Sequence, residues 1–306
     1  MSESKPLIGV LALQGAFEEH QKCLEAVGCR TKQIRTAGDM EDIDGIVLPG
    51  GESTAMGLIG TGSVHEGKNV WEALKEFTET NKPVWGTCAG MILLAERCVG
   101  ASAVIENGQS LIGGMDILVC RNYFGSQVSS FEMATPAPPS VGNNNNDDNN
   151  DDDGANDTTY PGVFIRAPAI LDAGKDVQVL GKVVATPCRQ AAVVLNELEA
   201  KIKNGEKVVQ MGVVDALDRD QGLHYKVVVK PHDDESSPEE EKKEGTDHGG
   251  ESGMTISLPG ASDGSNAREV ICAVQKNHIL CTAFHPELTE DYRWHAYFAK
   301  MVADSK

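Results

Sequence analysis

The chain has 306 residues, 40% of them hydrophobic, and 46 acidic against 27 basic side chains give it a formal charge of -19. That much apolar material supports one large or two small domains with a proper core, which excludes disorder of the whole chain. With a sequence pI near 4.8 there is no basic stripe to neutralise phosphates, so nucleic acid is not an expected partner.

Leu7 to Leu13 is a continuous apolar run of strand length, the pattern of a strand buried on both faces of a parallel sheet. Gln14-Gly15 ends it, a helical stretch follows from Ala16 to Val27, and Cys29 to Arg35 reads as a strand. Ile43 to Leu48 is the next strand and runs into Pro49-Gly-Gly51. Val70 to Thr80 has helical spacing, Pro83 to Trp85 is a short strand, and Ala89 to Arg97 is again helical. Alternation of this kind predicts a three-layer, doubly wound α/β domain with a mostly parallel, flavodoxin-like sheet.

Further strands are predicted at Asp116 to Cys120, Gly162 to Ile165, Val177 to Ala185, Tyr225 to Val229 and Val270 to Val274, the last three as parts of a meander. Leu195 to Val208 reads as a short helix. His278 to Phe284 is a strand, and Thr289 to Val302 a closing helix with Tyr292, Ala296 and Phe298 along one face. No internal repeat is present, and residues 1–306 read as a single domain. Trp71 and Trp294 are read as packing residues.

The acidity is unevenly spread. Residues 134–160 hold six Asp and no Lys or Arg, residues 231–267 hold ten acidic residues and two Lys, and the remaining 242 residues carry a net charge of only -5. Asn143 to Asp153 has no apolar side chain to offset its ordering entropy, so both stretches are expected to be disordered surface insertions in an ordinary domain. The eight cysteines show no Cys-x-x-Cys pair or zinc-like spacing, and the histidines no ligand spacing, so no metal is assigned. The start of the chain lacks the features of a signal peptide and no apolar run has the length of a membrane span, which predicts a soluble, cytoplasmic protein with no membrane partner.

Gly86-Thr-Cys88-Ala-Gly90 lies between a short apolar strand and an apolar helix, the setting of a nucleophile elbow. A thiol there sits at a helix N-terminus, which favours thiolate, and the N–H of Ala89 points toward a developing oxyanion. The motif alone is equally compatible with a buried cysteine in a tight turn. His285-Pro-Glu287 follows the last strand, and side chains two apart in extended chain share a side, so imidazole and carboxylate can pair. An elbow cysteine early and this pair just before the last helix suit a cysteine hydrolase on a parallel sheet. Pro49-Gly-Gly-Glu-Ser-Thr54 at the end of another strand is either an oxyanion wall or only a turn; no Gly-Lys-Ser/Thr follows, which disfavours phosphate.

Leu13-Gln-Gly15, Pro49 to Thr54, Gly86 to Gly90, Arg121-Asn-Tyr-Phe-Gly125, Gly162 to Pro168 and Phe284 to Thr289, in that order, resemble the class I glutamine amidotransferases, and more narrowly the glutaminase subunits of pyridoxal 5'-phosphate synthase. The similarity covers residues 7 to about 190 and 268 to 303. It implies that Cys88 is the nucleophile, His285 the general base and acid, and Glu287 its orienting partner. It further implies that Gly51, Glu52, Ser53, Arg121, Ile165 and Arg166 bind L-glutamine, and that Gly51, Ala89 and Gln14 form the oxyanion hole, Gln14 on docking of a synthase subunit.

No cofactor is implied on this chain, and the ammonia acceptor is a separate synthase subunit. Ser126 stands where the family often has Arg, which removes or moves one contact near the substrate. The alternatives are another class I amidotransferase or γ-glutamyl hydrolase on the same elbow, and a non-catalytic docking module.

Overall fold

A computed structural model describes residues 5–62, 64–65, 67–99, 111–125, 130–139, 158–189, 191–193, 195–196, 209–211, 214–215, 225–230, 254–257 and 267–306. In chain order the main elements are β1 (Leu7–Leu11), α1 (Phe17–Ala26), β2 (Arg30–Ile34), β3 (Gly45–Leu48), α2 (Ser53–Gly62), α3 (Val70–Thr78), β4 (Val84–Thr87) and α4 (Ala89–Leu94). They continue with β5 (Ala95–Val99), β6 (Met115–Cys120), β7 (Phe131–Pro136), β8 (Thr159–Phe164), β9 (Ala169–Ala173), β10 (Gln178–Ala185), β11 (Arg268–Lys276), β12 (Ile279–Thr282) and α5 (Arg293–Asp304).

The apolar runs form the parallel heart of one large sheet, in the order β2-β1-β3-β4-β12. Ile8, Val10, Leu11, Ile46, Val47, Leu48, Val84, Trp85, Leu280 and Cys281 are fully buried there, as strands covered on both faces require. From β1 to β2 the chain steps one way along the sheet and from β3 to β4 the other, so right-handed crossovers put the connecting helices on opposite faces. Accordingly α1 packs with α5, while α2 packs with α3 and α4. Beyond β12 the sheet continues through β11, β9, β6 and β5 with mixed sense, and β10 pairs antiparallel with β11.

Several boundaries differ from the sequence reading. The helix after Cys88 ends at Leu94, and residues 95–99 pair in parallel with β6, because an apolar run does not by itself separate helix from strand and the sheet edge claims it. The closing helix begins at Arg293; its buried residues are Trp294, His295, Phe298 and Val302, and Tyr292 is an exposed N-cap. Tyr225–Lys230 is not in a meander with β10 and β11 but pairs with Val209–Met211 and, in parallel, with Met254–Ser257, a strand inside the second acidic stretch.

The ends of the first acidic stretch are also ordered, since β7 and β8 form an antiparallel pair in which Pro136 faces Thr159. Residues 140–157, 231–253 and 258–266, where most of the expected disorder falls, lie outside the described residues, as do 197–208 of the expected helix from Leu195. Trp71 and Trp294 are buried in the core, as expected of packing residues.

Candidate active site

Four parallel strands deliver their carboxyl ends to one spot, where an open α/β sheet places its ligands. Gln14 follows β1, Gly50 to Glu52 follow β3, Cys88 follows β4 and His285 follows β12. Cys88 has φ 46° and ψ -102°, a left-handed conformation that a non-glycine residue adopts only under constraint, and such strain clusters at functional sites. The two flanking glycines allow it. A Cβ on Gly86 would stand 2.6 Å from the Gly90 backbone, and one on Gly90 would stand 1.9 Å from the Leu48 carbonyl oxygen. Cys88 N–H donates to the Thr282 carbonyl at 2.8 Å, which ties the elbow to β12.

His285 Nδ1 lies 2.8 Å from Glu287 Oε1, with both side chains buried. A carboxylate only accepts, so Nδ1 carries the proton of that bond and Nε2 is left for Cys88. Burial alone depresses the imidazole, but the charge of Cys88, a hydrogen bond with it, and Glu287 outweigh burial and raise His285 well above its ordinary value. Burial opposes ionisation of Glu287 too, yet the imidazoles of His20 and His285 hold its carboxyl far below the usual range. The arrangement is a buried cysteine, histidine and carboxylate in series. The helix after Cys88 is only six residues long, so the main positive charge offered to the sulfur is that of His285.

The loop after β3 is braced by the turn after β1. Glu52 N–H donates to Gln14 Oε1 at 2.6 Å, and Ala16 N–H donates to the Gly50 carbonyl at 3.3 Å. Glu52 caps α2, accepting from Thr54 N–H at 3.1 Å and Ala55 N–H at 2.7 Å. Against burial, these bonds and the Arg121 guanidinium hold Glu52 below its ordinary value. Arg121 approaches the same corner, with Nη2 3.7 Å from Glu52 Oε1 and 3.4 Å from Thr54 Oγ1. Its buried Nη1 has no hydrogen bond among the described residues. Ala89 opens α4, so its N–H has no intrahelical acceptor.

Three of the motifs meet around His285. Its N–H donates to the Val163 carbonyl at 2.8 Å, Phe124 N–H donates to the Ala167 carbonyl at 3.2 Å, and Tyr160 Oη donates to the Pro286 carbonyl at 3.2 Å. Ile165 and Arg166 form the turn between these contacts. Arg166 has φ 46° and an exposed side chain, and Ile165 is half-buried. Ser53 is buried at the start of α2. Ser126 lies outside the described residues. Among the described residues no group of three His, Cys, Asp or Glu could hold a metal ion.

Sequence reasoning missed His20 and His295, which stand directly behind Glu287. His20 Nε2 is 3.2 Å from Glu287 Oε2 and 3.1 Å from Thr87 Oγ1, and His20 Nδ1 is 3.0 Å from His295 Nε2. The only signal in the sequence is a histidine on the inward face of an amphipathic helix, beside Cys23 and Leu24.

Residues 10–196 match the model of the SNO glutamine amidotransferase family. A protein of Arabidopsis thaliana named probable pyridoxal 5'-phosphate synthase subunit PDX2 is 36% identical over 97% of this chain and 86% of its own length. Pyridoxal 5'-phosphate synthase subunit PdxT of Brevibacillus brevis is 32% identical over 97% of each chain. A crystal structure described as glutamine amidotransferase matches with a TM-score of 0.56 at 24% identity, over 97% of this chain and 98% of the other, which shows the fold.

Proposed function

Because this chain belongs to the SNO glutamine amidotransferase family, we propose that it is the glutaminase subunit of a pyridoxal 5'-phosphate synthase, hydrolysing L-glutamine to glutamate and ammonia with Cys88, His285 and Glu287. The observation that carries the reading is Cys88, strained at an elbow and hydrogen-bonded to a histidine whose far nitrogen is fixed by a buried carboxylate.

The Cys88 thiolate attacks the carboxamide carbon, and the carbonyl π electrons move to oxygen. The N–H groups of Ala89 and Gly51 stabilise that oxyanion; with Oε1 of Gln14 taken by Glu52, its Nε2 end is the further donor. His285 gives the Nε2 proton to the amide nitrogen, the C–N bond breaks, and ammonia leaves a γ-glutamyl thioester. Water then loses a proton to His285 as it attacks, the C–S bond breaks, and glutamate departs with the thiolate restored. Glu287 keeps the imidazole in its tautomer throughout.

The unpaired Nη1 of Arg121 supports a role in holding the α-carboxylate of glutamine, for which a guanidinium fork is suited. Gly51, Glu52, Ser53, Ile165 and Arg166 complete the substrate wall. The partner is a synthase subunit that consumes the ammonia, as the names of the relatives indicate for those proteins. The eight cysteines are all free, which fits work in the reducing cytoplasm, and no helix among the described residues is long and apolar enough to cross a membrane. Cys88→Ala tests the reading: glutamine hydrolysis is abolished while the fold is kept, and hydrolysis that persists overturns it.

A further inference from the structure

The hydrolysis described above uses one oxygen of Glu287. The other, Oε2, is buried and has no aligned hydrogen bond among the described residues; what it faces is the ring edge of His20 at 3.2 Å. His20 is fully buried in α1, and so is its neighbour His295 in α5. Two imidazoles buried side by side are costly unless each nitrogen has a use.

The hydrogen-bond chemistry assigns those uses. A carboxylate only accepts, so His20 Nε2, set between Glu287 Oε2 and Thr87 Oγ1, carries a proton. His295 Nδ1 has no hydrogen bond among the described residues, which suits a bare lone pair there better than a buried N–H, so His295 Nε2–H donates to His20 Nδ1 at 3.0 Å. Burial holds His295 well below the ordinary imidazole value, so it stays neutral. Trp85 walls the pair, its ring 5.6 Å from His20 and 5.0 Å from His295 between centroids, both edge-on.

We propose that His20 is a positioning residue for Glu287: its Nε2–H edge, locked by Thr87 and His295, holds the carboxylate from behind so that the other oxygen stays on His285. The inference rests on the reading of Glu287 as the partner of His285. It makes the constellation a series of four, Cys88, His285, Glu287 and His20, with His295 fixing the tautomer of the last. In the absence of His20 the carboxylate oxygen Oε2 is buried with no partner, and Glu287 swings or takes up a proton, either of which releases His285.

The test is steady-state hydrolysis of L-glutamine by the full chain together with the pyridoxal 5'-phosphate synthase subunit. The variants are His20→Leu, His20→Asn, His20→Gln, Glu287→Gln and the double variant His20→Leu/Glu287→Gln, with Cys88→Ala as control and circular dichroism to verify folding. His20→Leu is expected to lower kcat about tenfold or more with KM within about twofold, the loss of one buried polar contact to a charged group. His20→Gln, which keeps an N–H near the Nε2 position, recovers most of that, whereas His20→Asn, too short to reach, does not. Because His20 acts through Glu287, the double variant is no slower than Glu287→Gln alone.

A folded His20→Leu with wild-type kcat, or a loss that adds in full to that of Glu287→Gln, overturns the proposal. If the leucine variant does not fold, the asparagine and glutamine variants make the same comparison, and equal activity in those two overturns it. Hydrolysis surviving in Cys88→Ala removes the underlying reading instead, whatever His20 does.

Discussion

Gly50 presses its Cα against the imidazole of His285: a Cβ built there would lie 2.3 Å from Cε1 and 2.8 Å from Nδ1, and 3.3 Å from the Cβ of Cys88. The ring has no freedom to yield, because Nδ1 is held by Glu287 at 2.8 Å. Gly50→Ala is therefore expected to displace the imidazole and lower kcat for glutamine about a hundredfold, the scale on which an ångström of misplacement acts, with a thermal melt close to wild type. A kcat within about threefold of wild type contradicts this packing.

Alkylation separates the elbow thiol from the others. Burial pushes the thiols of Cys23 and Cys98 up to about 11 and those of Cys120 and Cys272 to about 12, and raises Cys29 and Cys281 as well. A brief exposure to iodoacetamide near neutral pH, followed by peptide mass mapping, should modify Cys88 and leave those six untouched, with half-exposed Cys188 as the internal comparison. Replacing His285 by Gln removes the cation beside the sulfur and slows labelling of Cys88 at least about tenfold. Equal rates in both proteins contradict the thiolate–imidazolium pair.

Acid stability reports on Glu287. Its folded value lies far below the ordinary 4.5, so the unfolded chain binds a proton that the folded chain does not as pH falls below about 4.5. The stability Glu287 contributes is complete above that pH and is lost as pH falls toward the folded value, at about 1.4 kcal/mol per pH unit. Between about pH 4.5 and pH 3 the wild type should lose roughly 2 kcal/mol more than Glu287→Gln, as read from urea unfolding. Parallel losses in the two proteins contradict a buried ionised carboxylate.

Gly90→Ala tests the elbow itself. The new methyl group meets the Leu48 carbonyl oxygen at 1.9 Å and its carbon at 2.7 Å, backbone that belongs to the central strand β3. The variant should be destabilised by about 3 kcal/mol or more in urea unfolding, or fail to fold. An unchanged midpoint would mean that β3 and α4 do not lie in contact as described.

The parallel heart of the sheet and the three residues in series were legible because each has a local signature. Apolar runs mark β1, β3, β4 and β12, the glycines around Cys88 mark a tight turn, and His285 with Glu287 are two apart in extended chain. Residues 95–97 were misread as helix because the pairing of 95–99 with β6 is a tertiary choice that periodicity does not carry. His20 was passed over for a similar reason. Nothing within α1 relates it to Glu287 or His295, and the three meet only because α1 and α5 pack on one face of the sheet, beneath the end of β12. Arg166 was found the other way, from its motif; in the structure it sits at φ 46° with its side chain exposed.

The central claim is that Cys88 releases ammonia from L-glutamine for a partner that consumes it. Its most direct measurement is ammonia and glutamate formed from L-glutamine by wild type and by Cys88→Ala, each with and without a pyridoxal 5'-phosphate synthase subunit. The account predicts release that rises when the synthase subunit is added and vanishes in Cys88→Ala under both conditions. Release that persists in Cys88→Ala, or that is absent from every mixture, contradicts it.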